Sequence, residues 1–487
     1  MNKPLELEPA RVWEYFYKIC QIPRPSKNEG KILDYLIRFA EKNKIPFKQD
    51  SVGNLVMQKA ASAGNENMKK VILQSHLDMV GEKEPQKKHD FTKDPITPIV
   101  SGGWVRADST TLGADDGIGI AVQMVILEDK QLVHGPLECL FTVDEESGMT
   151  GAQNLEPGFL TGKILINLDS EDEGELFIGC AGGVDTIARF SSKSKTVRPN
   201  SRAYNIIISG LNCGHSGDEI HKSPANAIKI LNRFLWNATN EFKVSIHTID
   251  GGNMRNAIPR EAEAYVTVPQ KHAINFESFF QIYAGTVAKE TGKIETGLSF
   301  SLKETDLPLT VMNRKAQKRI MNAIYACPHG VITWSQELEG LVETSTNLAS
   351  IKMDDNREII VTTSQRSSVD SAKKDISDRI ASIFRLAGAR VEHSDGYPGW
   401  TPDPDSEIVK ITEASYRRLF RKRPVVRAIH AGLECGLILE KYPNLDMISF
   451  GPTIKGAHTP GEKINIKSTQ KFWKLLLDVL KNIERES

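Results

Sequence analysis

Three consecutive carboxylates, Asp144, Glu145 and Glu146, follow a short apolar segment in the first third of the chain. The preceding residues, 137–143, are rich in leucine, phenylalanine and valine, a composition that predicts a buried strand. Like charges at contact distance repel one another strongly, so three ionised carboxylates at the end of such a strand need a neighbouring cation. This segment therefore indicates a cation site whose remaining ligands lie elsewhere in the sequence.

His76 and Asp78 directly follow a second predicted strand at 71–74. In extended backbone, residues two positions apart face the same side, so these two side chains point together. A carboxylate in that position can hold one imidazole nitrogen while the other nitrogen faces a metal ion. Taken alone, the His-x-Asp pattern is more typical of a structural histidine.

Further candidate ligands lie in turns or at a strand end. Asp115 and Asp116 are flanked by glycines before a predicted helix, and they fit a helix N-cap and a metal-bridging carboxylate equally well. Asp169 ends the apolar segment 163–168, and open α/β sheets place their ligands at such carboxyl ends, although a turn residue is the simpler interpretation. His458 lies in a loop rich in glycine and proline, where a surface histidine is the simpler interpretation.

Considered together, these residues form a coherent ligand set of two histidines and several carboxylates. Such donors suit a pair of divalent ions such as zinc, cobalt or manganese. Because the set contains no cysteine, a structural zinc site is disfavoured. Carboxylates that bridge two ions and leave positions open for water are suited to hydrolysis.

The elements that must position these residues alternate along the chain. Apolar periodicity predicts helices at 8–20, 27–43 and 118–128, and strands at 53–59, 71–74, 137–143 and 163–168. This alternation indicates an α/β fold with a mixed, mainly parallel central sheet flanked by helices. Ser26 and Glu29 predict a capping box at the start of the helix at 27–43.

The sequence pattern changes after residue 182. Alternating strand-like segments mixed with helices predict an inserted α+β domain at 183–394. The α/β character returns at 395–487, so residues 1–182 and 395–487 are predicted to form one domain in two parts.

Length and composition exclude several classes of protein. At 487 residues the chain is too long for a single core. Its 62 basic residues balance 62 acidic residues, so no global field attracts nucleic acid or an anionic membrane. No segment approaches the roughly 18 apolar residues of a membrane span, and the start lacks the pattern of a signal peptide. The six cysteines are scattered singly, which favours a reducing compartment and predicts a cytoplasmic protein.

The order and spacing of these motifs resemble those of the di-zinc metallopeptidase family that contains aminoacylases, carboxypeptidase G-type enzymes and several dipeptidases. The resemblance is closest to the aminoacyl-histidine dipeptidase branch of that family. It extends from residue 8 to 470, and besides the candidate ligands it rests on five segments: 214–217, 256–259, 366–368, 397–400 and 430–436.

The resemblance implies a role for each candidate ligand. His76 and Asp169 would bind one divalent ion, Glu146 and His458 the other, and Asp115 would bridge both. Asp116 would be a neighbour of the site without binding metal. Asp78 would orient His76, and Glu145 would act as the general base. Zinc is the first expectation for both ions, with cobalt or manganese as alternatives.

The resemblance also implies the substrate and the groups that bind it. The activity would be hydrolysis of unblocked dipeptides, including those ending in histidine; a deacylase of N-acyl amino acids, a tripeptidase or a catalytically silent relative are the alternatives. The inserted domain would be a substrate-binding lid, with His215 stabilising the oxyanion and Asn256 and Arg366 positioning the substrate. Glu434 is the candidate partner for a free amino group. A homodimer is expected, and the sequence leaves open whether His215 acts in its own subunit or across the dimer.

Overall fold

The computed structural model describes residues 6–217, 219–354 and 356–486. Within these residues the chain forms two compact units. Over the described residues, unit 1 comprises 6–180, 400–428 and 433–486, and unit 2 comprises 181–217, 219–354, 356–399 and 429–432.

The first part of unit 1 alternates helices and strands. Its elements are α1 (Ala10–Cys20), α2 (Gly30–Asn43), β1 (Phe47–Gln49), β2 (Leu55–Lys59), β3 (Val71–His76), β4 (Pro98–Ser101), β5 (Trp104–Ala107), α3 (Ala114–Glu128), β6 (Leu137–Thr142), α4 (Glu145–Gly148), α5 (Thr150–Gln153), β7 (Ile164–Asn167) and β8 (Glu175–Cys180). The helix predicted to begin at 118 begins four residues earlier, although Asp115 and Asp116 have non-helical backbone angles within it.

Unit 2 is dominated by strands. Its elements are β9 (Gly182–Phe190), β10 (Ser194–Thr196), β11 (Ser201–Ser209), α6 (Ala227–Phe242), β12 (Ser245–Gly251), β13 (Ala262–Pro269), α7 (Ala273–Thr291), β14 (Ser299–Thr305), β15 (Thr310–Met312), α8 (Arg314–Ala326), β16 (Gly330–Trp334), β17 (Val342–Met353), β18 (Ile359–Ser367), α9 (Asp370–Leu386) and β19 (Arg390–His393).

The chain then completes unit 1. The remaining elements are α10 (Glu407–Phe420), β20 (Val425–Ile429), α11 (Glu434–Lys441), β21 (Asp446–Ser449), β22 (Ile454–Lys455), β23 (Lys463–Asn465) and α12 (Ile466–Lys481).

The described residues of unit 1 form an eight-stranded sheet in the order β1-β2-β6-β3-β7-β21-β8-β20. Its centre is parallel, because β3 pairs in parallel with both β6 and β7, and β7 pairs in parallel with β21. All six side chains of β3 are buried, as expected for a strand covered on both faces. The predicted α/β fold with a mainly parallel central sheet is therefore confirmed.

The register of the central strands determines where the site lies. His76, the last residue of β3, is opposite Thr142, the last residue of β6. Gln74 is opposite Asn167, the last residue of β7. The three parallel strands thus end at one edge of the sheet, and the segments that follow them emerge there together.

Unit 2 contains a nine-stranded sheet, counted over its described residues, in the order β14-β11-β13-β12-β17-β18-β9-β19 with β16 paired to β17. Its strand pairings among the described residues are all antiparallel. Side chains from this sheet and from α6–α9 form one continuous apolar core, in which Phe234 packs against Phe276 and Phe280. Unit 2 is thus an inserted α+β unit, and its role as a lid stays a prediction.

The predicted capping box at the start of α2 is wrong. The side chain of Glu29 makes no capping hydrogen bond. Instead Ser26 donates its hydroxyl to Oδ2 of Asp78 at 2.8 Å, and Oε1 of Glu29 accepts from the backbone of Lys27 and Asp144. A buried carboxylate elsewhere in unit 1 outcompetes the local capping partner, because an unpaired buried charge costs more than a frayed helix end.

Candidate metal centre

One group of candidate ligands surrounds His76 at the end of β3. Its Nε2 lies 2.8 Å from Oδ1 of Asp115 and 3.3 Å from Oδ1 of Asp169. The donor atoms of these three residues all lie within 4.8 Å of one another, close enough to bind one ion. Burial alone would lower the pKa of His76, but the charges of Asp169 and Asp115 outweigh it and raise the pKa well above its ordinary value.

A second group surrounds His458, in the loop between β22 and β23. Its Nε2 lies 2.9 Å from Oε2 of Glu146 and 3.2 Å from Oδ2 of Asp115. Hydrogen bonds to Asp115 and Glu146 raise the pKa of His458 to about 11. The two oxygens of Asp115 therefore face two different histidines, which is the geometry that a bridging carboxylate requires.

Asp78 contacts residues of both groups without being a candidate ligand itself. Its Oδ1 lies 3.4 Å from Nδ1 of His76 and accepts the backbone N–H of Glu145, while Oδ2 accepts the backbone N–H of Glu146 and the hydroxyl of Ser26. Burial would raise the pKa of Asp78, but the hydrogen bonds from His76 and Ser26 lower it to about 2. An ionised Asp78 thus fixes one candidate ligand directly and two candidate residues through their backbone.

Glu145 lies beside the ligands without joining them. One of its carboxylate oxygens lies within 4.8 Å of the donor atoms of His76 and Glu146. Among the described residues, its carboxylate forms no hydrogen bond or ion pair. Burial raises the pKa of Glu145 well above its ordinary value, so the group is suited to accepting a proton.

Glu434 occupies a buried position at the start of α11. One oxygen, Oε2, accepts hydrogen bonds from Nε2 of Gln74 and Oγ1 of Thr142, each at 2.7 Å. The other oxygen, Oε1, is buried and has no hydrogen-bond partner among the described residues. Burial raises the pKa of Glu434 to about 7. This carboxylate has a vacant acceptor for one more donor.

The donor set fits a pair of divalent ions. It offers two imidazole nitrogens and three carboxylates, without sulfur, a donor set that zinc, cobalt and manganese all accept. One buried atom of the set, Oε1 of Glu146, lacks a hydrogen-bond partner among the described residues. An uncompensated buried carboxylate oxygen is costly, and a bound cation would remove that cost.

Three further predicted site residues belong to unit 2. His215 forms an isolated β-bridge with Ala257, and the backbone N–H of Ser216 donates to the carbonyl of Asn256 at 2.8 Å. The structure therefore brings the segments of His215 and Asn256 together. Arg366, near the end of β18, donates from Nη1 to the hydroxyl of Tyr397 at 3.0 Å. Its buried Nε has no hydrogen-bond partner among the described residues of the chain.

Sequence reasoning missed two residues beside the centre. Arg24 is 2 % exposed and donates to the backbone carbonyls of Leu77, Asp78 and Gly113. Glu462, also 2 % exposed, accepts hydrogen bonds from the turn that contains Asp115. Glu462 lies only four residues after His458, and that proximity was the one signal in the sequence that pointed to it.

An α/β unit that gathers two histidines around one shared carboxylate at a sheet edge defines the class of two-metal hydrolases. Within that class the particular family is shown by comparison. Residues 72–482 match the model of Peptidase family M20/M25/M40, and the chain belongs to this family.

Two relatives match nearly the whole chain. The cytosol non-specific dipeptidase of Escherichia coli (strain K12) is 41% identical over 483 residues, which cover 99% of each protein. The crystal structure of aminoacylhistidine dipeptidase from Vibrio alginolyticus has a TM-score of 0.94 and 42% identity, covering 100% of this chain and 99% of the other. These matches confirm the resemblance seen in the motifs. A tripeptidase from Staphylococcus aureus, with a TM-score of 0.57 and 18% identity over 98% of this chain and 99% of the other, shares the fold.

Among residues 6–217, 219–354 and 356–486, none of the helices combines the length and apolar character needed to cross a bilayer.

Proposed function

We propose that this protein is a metal-dependent dipeptidase that hydrolyses the peptide bond of unblocked dipeptides, including those ending in histidine. The observation that carries the proposal is the position of Asp115, whose two oxygens face His76 and His458 separately. Two relatives at 41% and 42% identity, both named as dipeptidases, support the same substrate class.

Five residues would hold two divalent ions: His76 and Asp169 on one side, Glu146 and His458 on the other, and Asp115 between them. Zinc is the proposed metal, with cobalt or manganese as the alternatives that the same donors accept. When bound, two such ions supply an acidified water and a Lewis-acidic position for the scissile carbonyl. Asp78 holds the imidazole of His76 so that its Nε2 faces the metal position.

Glu145 is the proposed general base. Its carboxylate would take a proton from the attacking water and later deliver that proton to the nitrogen of the leaving amine. A raised pKa favours this second step, because the protonated carboxyl must persist long enough to act as an acid. The adjacent Glu146 lies against His458 and would bind the second ion with it, so it is not free to transfer protons as Glu145 is.

The two ends of the substrate would be recognised by groups of opposite charge. Arg366 is proposed to bind the terminal carboxylate, since its buried guanidinium keeps an unpaired Nε–H donor. Glu434 is proposed to bind the free amino group through its vacant Oε1. Asn256 would help to position the substrate, and His215 would donate to the oxyanion, in its own subunit or across a homodimer. The proposed setting is the cytoplasm, with small peptides as the only partners besides a second copy of the chain.

A substrate panel tests this function and separates it from its relatives. The purified protein is stripped with a chelator, reloaded with defined zinc, cobalt or manganese, and assayed on free dipeptides including β-alanyl-histidine, on tripeptides and on N-acetyl amino acids. We expect cleavage of dipeptides that disappears with the metal and returns on reloading. Cleavage of N-acetyl amino acids or tripeptides in preference to dipeptides would instead identify a deacylase or a tripeptidase.

Glu434 gives the panel a matched internal control. Glu434→Gln removes the charge that a free amino group needs, so it should lower activity on free dipeptides far more than on any N-acetylated substrate. Glu138→Gln is the control variant, because Glu138 is an equally buried glutamate that accepts hydrogen bonds from Thr161 and Gly162. If Glu434→Gln and Glu138→Gln each lower the activity on free and on N-acetylated substrates by the same factor, Glu434 does not bind the free amino group of the substrate.

A further inference from the structure

Glu462 accepts hydrogen bonds from four consecutive backbone N–H groups. Oε2 accepts from Leu112 at 2.7 Å and Gly113 at 3.0 Å, and Oε1 accepts from Ala114 at 2.7 Å and Asp115 at 3.4 Å. A carboxylate has acceptor sites for about four donors, so this one is fully used by a single turn. That turn is the one that presents Asp115.

Glu462 also belongs to the loop that presents the other histidine. His458 and Glu462 both lie in the connection between β22 and β23. Within that connection, the backbone N–H of Glu462 donates to the carbonyl of Thr459 at 3.0 Å. The side chain of His458 is 53% exposed, so its loop has little packing of its own. Glu462, which is 2 % exposed, is the buried anchor of that loop.

Arg24 holds the same turn from its opposite side. Its Nη2 donates to the carbonyl of Gly113, and its Nη1 donates to the carbonyls of Leu77 and Asp78. Gly113 has φ +69°, and a Cβ there would lie 2.8 Å from Nη2 of Arg24. The turn thus has its N–H groups fixed by an anion and a carbonyl fixed by a cation, which leaves it little freedom to shift.

We propose that Glu462 is a positioning residue that couples the two metal sites, by fixing the turn of Asp115 and the loop of His458 to each other. This inference rests on the proposed two-metal function and deepens it. Asp115 can bridge two ions only if His76 and His458 stay on its two sides at once. Glu462 provides that constraint for His458, because one carboxylate ties both segments together.

If Glu462 only stabilised the fold, its substitution would lower stability without a specific effect on metal binding. Glu138 is a control that separates a structural role from a positioning role. Glu138 is 0 % exposed and likewise accepts backbone N–H groups, from Thr161 at 2.8 Å and Gly162 at 2.9 Å. The segment that it fastens carries no candidate ligand. Glu138→Gln and Glu462→Gln therefore remove comparable hydrogen bonds from the same unit, and only one of them touches the metal loops.

The test measures stepwise metal binding. The metal-free, full-length proteins are titrated with cobalt(II): wild type, Glu462→Gln and Glu138→Gln. Binding is measured by the heat of each injection in calorimetry and by the visible absorption of the bound ion. Thermal unfolding is recorded for each protein. We expect Glu462→Gln to bind the second ion about 10- to 100-fold more weakly, the usual effect of removing a residue that orients a ligand. Its first ion should bind within about threefold of wild type, since Asp78 still orients His76 and Arg24 still holds the turn of Asp115 through the carbonyl of Gly113.

Each result has a defined meaning. Glu138→Gln should lower the unfolding temperature while both ions bind as in wild type. Glu462→Asp keeps the charge on a shorter side chain, so a second-ion affinity between those of wild type and Glu462→Gln supports the coupling. Wild-type affinity for both ions in Glu462→Gln, or equal weakening of both, would overturn it. A wild-type protein that binds fewer than two ions would overturn the proposed function itself.

Discussion

Unit 1 and unit 2 both bury polar side chains along the strands of their sheets, but the side chains differ in chemistry. In unit 2, β17 and β18 bury hydroxyl and amide groups that satisfy one another: Thr344 pairs with Ser367 at 2.9 Å, and Nε2 of Gln365 donates to Thr363 at 2.8 Å. In unit 1, the strand ends bury imidazoles and carboxylates, of which Glu146 and Glu434 each keep an oxygen without a partner among the described residues.

The difference follows from what each group can donate. Hydroxyls and amides are both donors and acceptors, so a buried row of them can complete its own hydrogen bonds. An ionised carboxylate only accepts, and several of them in one place exhaust the available N–H groups. Hydroxyls and amides of β17 and β18 in unit 2 therefore satisfy one another at several positions, although Oδ1 of Asn347 has no hydrogen-bond partner among the described residues. The carboxylates of unit 1 instead leave oxygens that a cation would satisfy. Loss of metal is therefore expected to abolish activity through its effect on unit 1, while the fold of unit 2 stays intact.

Glu145→Gln should give the largest separation between metal binding and turnover. The amide cannot accept the proton of the attacking water, so we expect kcat to fall by about 10²- to 10⁴-fold. The metal content should stay near that of wild type, because Glu145 is not among the proposed ligands. Metal analysis and steady-state kinetics on the same preparation measure both quantities, and wild-type turnover would remove Glu145 from its role.

A pair of histidine variants, one in each unit, tests the comparison directly. His458→Ala removes a proposed ligand in unit 1, so we expect bound metal to fall to about one ion per chain. His215→Ala in unit 2 should leave the metal content unchanged and lower kcat by about 10²- to 10³-fold, as loss of an oxyanion donor does. Unchanged metal content in His458→Ala would refute its assignment, and loss of metal in His215→Ala would refute the division of labour.

The residues that meet at the sheet edge could be predicted from sequence because each follows a pattern of its own. His76 and Asp169 directly follow apolar strands, and parallel strands in adjacent positions end at one edge. Glu462 could not be predicted in this way, because its four donors lie about 350 positions earlier and no local pattern marks them. Ser26 was assigned to a helix cap for the same reason, since its partner Asp78 is close only in the folded unit.

Arg366 is a charged side chain among the buried polar groups of unit 2, and substituting it should have a smaller effect than the histidine variants. Arg366→Lys keeps the charge but loses the planar fork that binds a carboxylate through two N–H groups. We expect KM for free dipeptides to rise by about 10- to 100-fold with little change in kcat. Dipeptide amides, which lack the terminal carboxylate, are the matched control. An equal change in KM for acids and amides would show that Arg366 does not read that end of the substrate.

The smallest expected effect concerns pH and the stability of unit 2. Nδ1 of His329 accepts the backbone N–H of Leu348 at 3.2 Å, and burial lowers the pKa of His329 from 6.5 to about 4. Below pH 6.5 His329 is therefore protonated in the unfolded chain, whereas in the folded chain it stays neutral until about pH 4. The contribution of His329 to stability is thus complete above pH 6.5 and is lost progressively as the pH falls to about 4.

His329→Asn isolates this effect from the protonation of the metal ligands, which both proteins share. The asparagine oxygen can replace Nδ1 as an acceptor but does not titrate, so the variant should lose less stability on acidification. Because the side chain of His329 is partly exposed, we expect a difference of about 1 to 2 kcal/mol between wild type and variant, developing from pH 7 to pH 4. Urea unfolding of both full-length proteins across this range measures it. Parallel curves would mean that His329 is solvated well enough to be protonated in the folded chain, which would contradict this prediction.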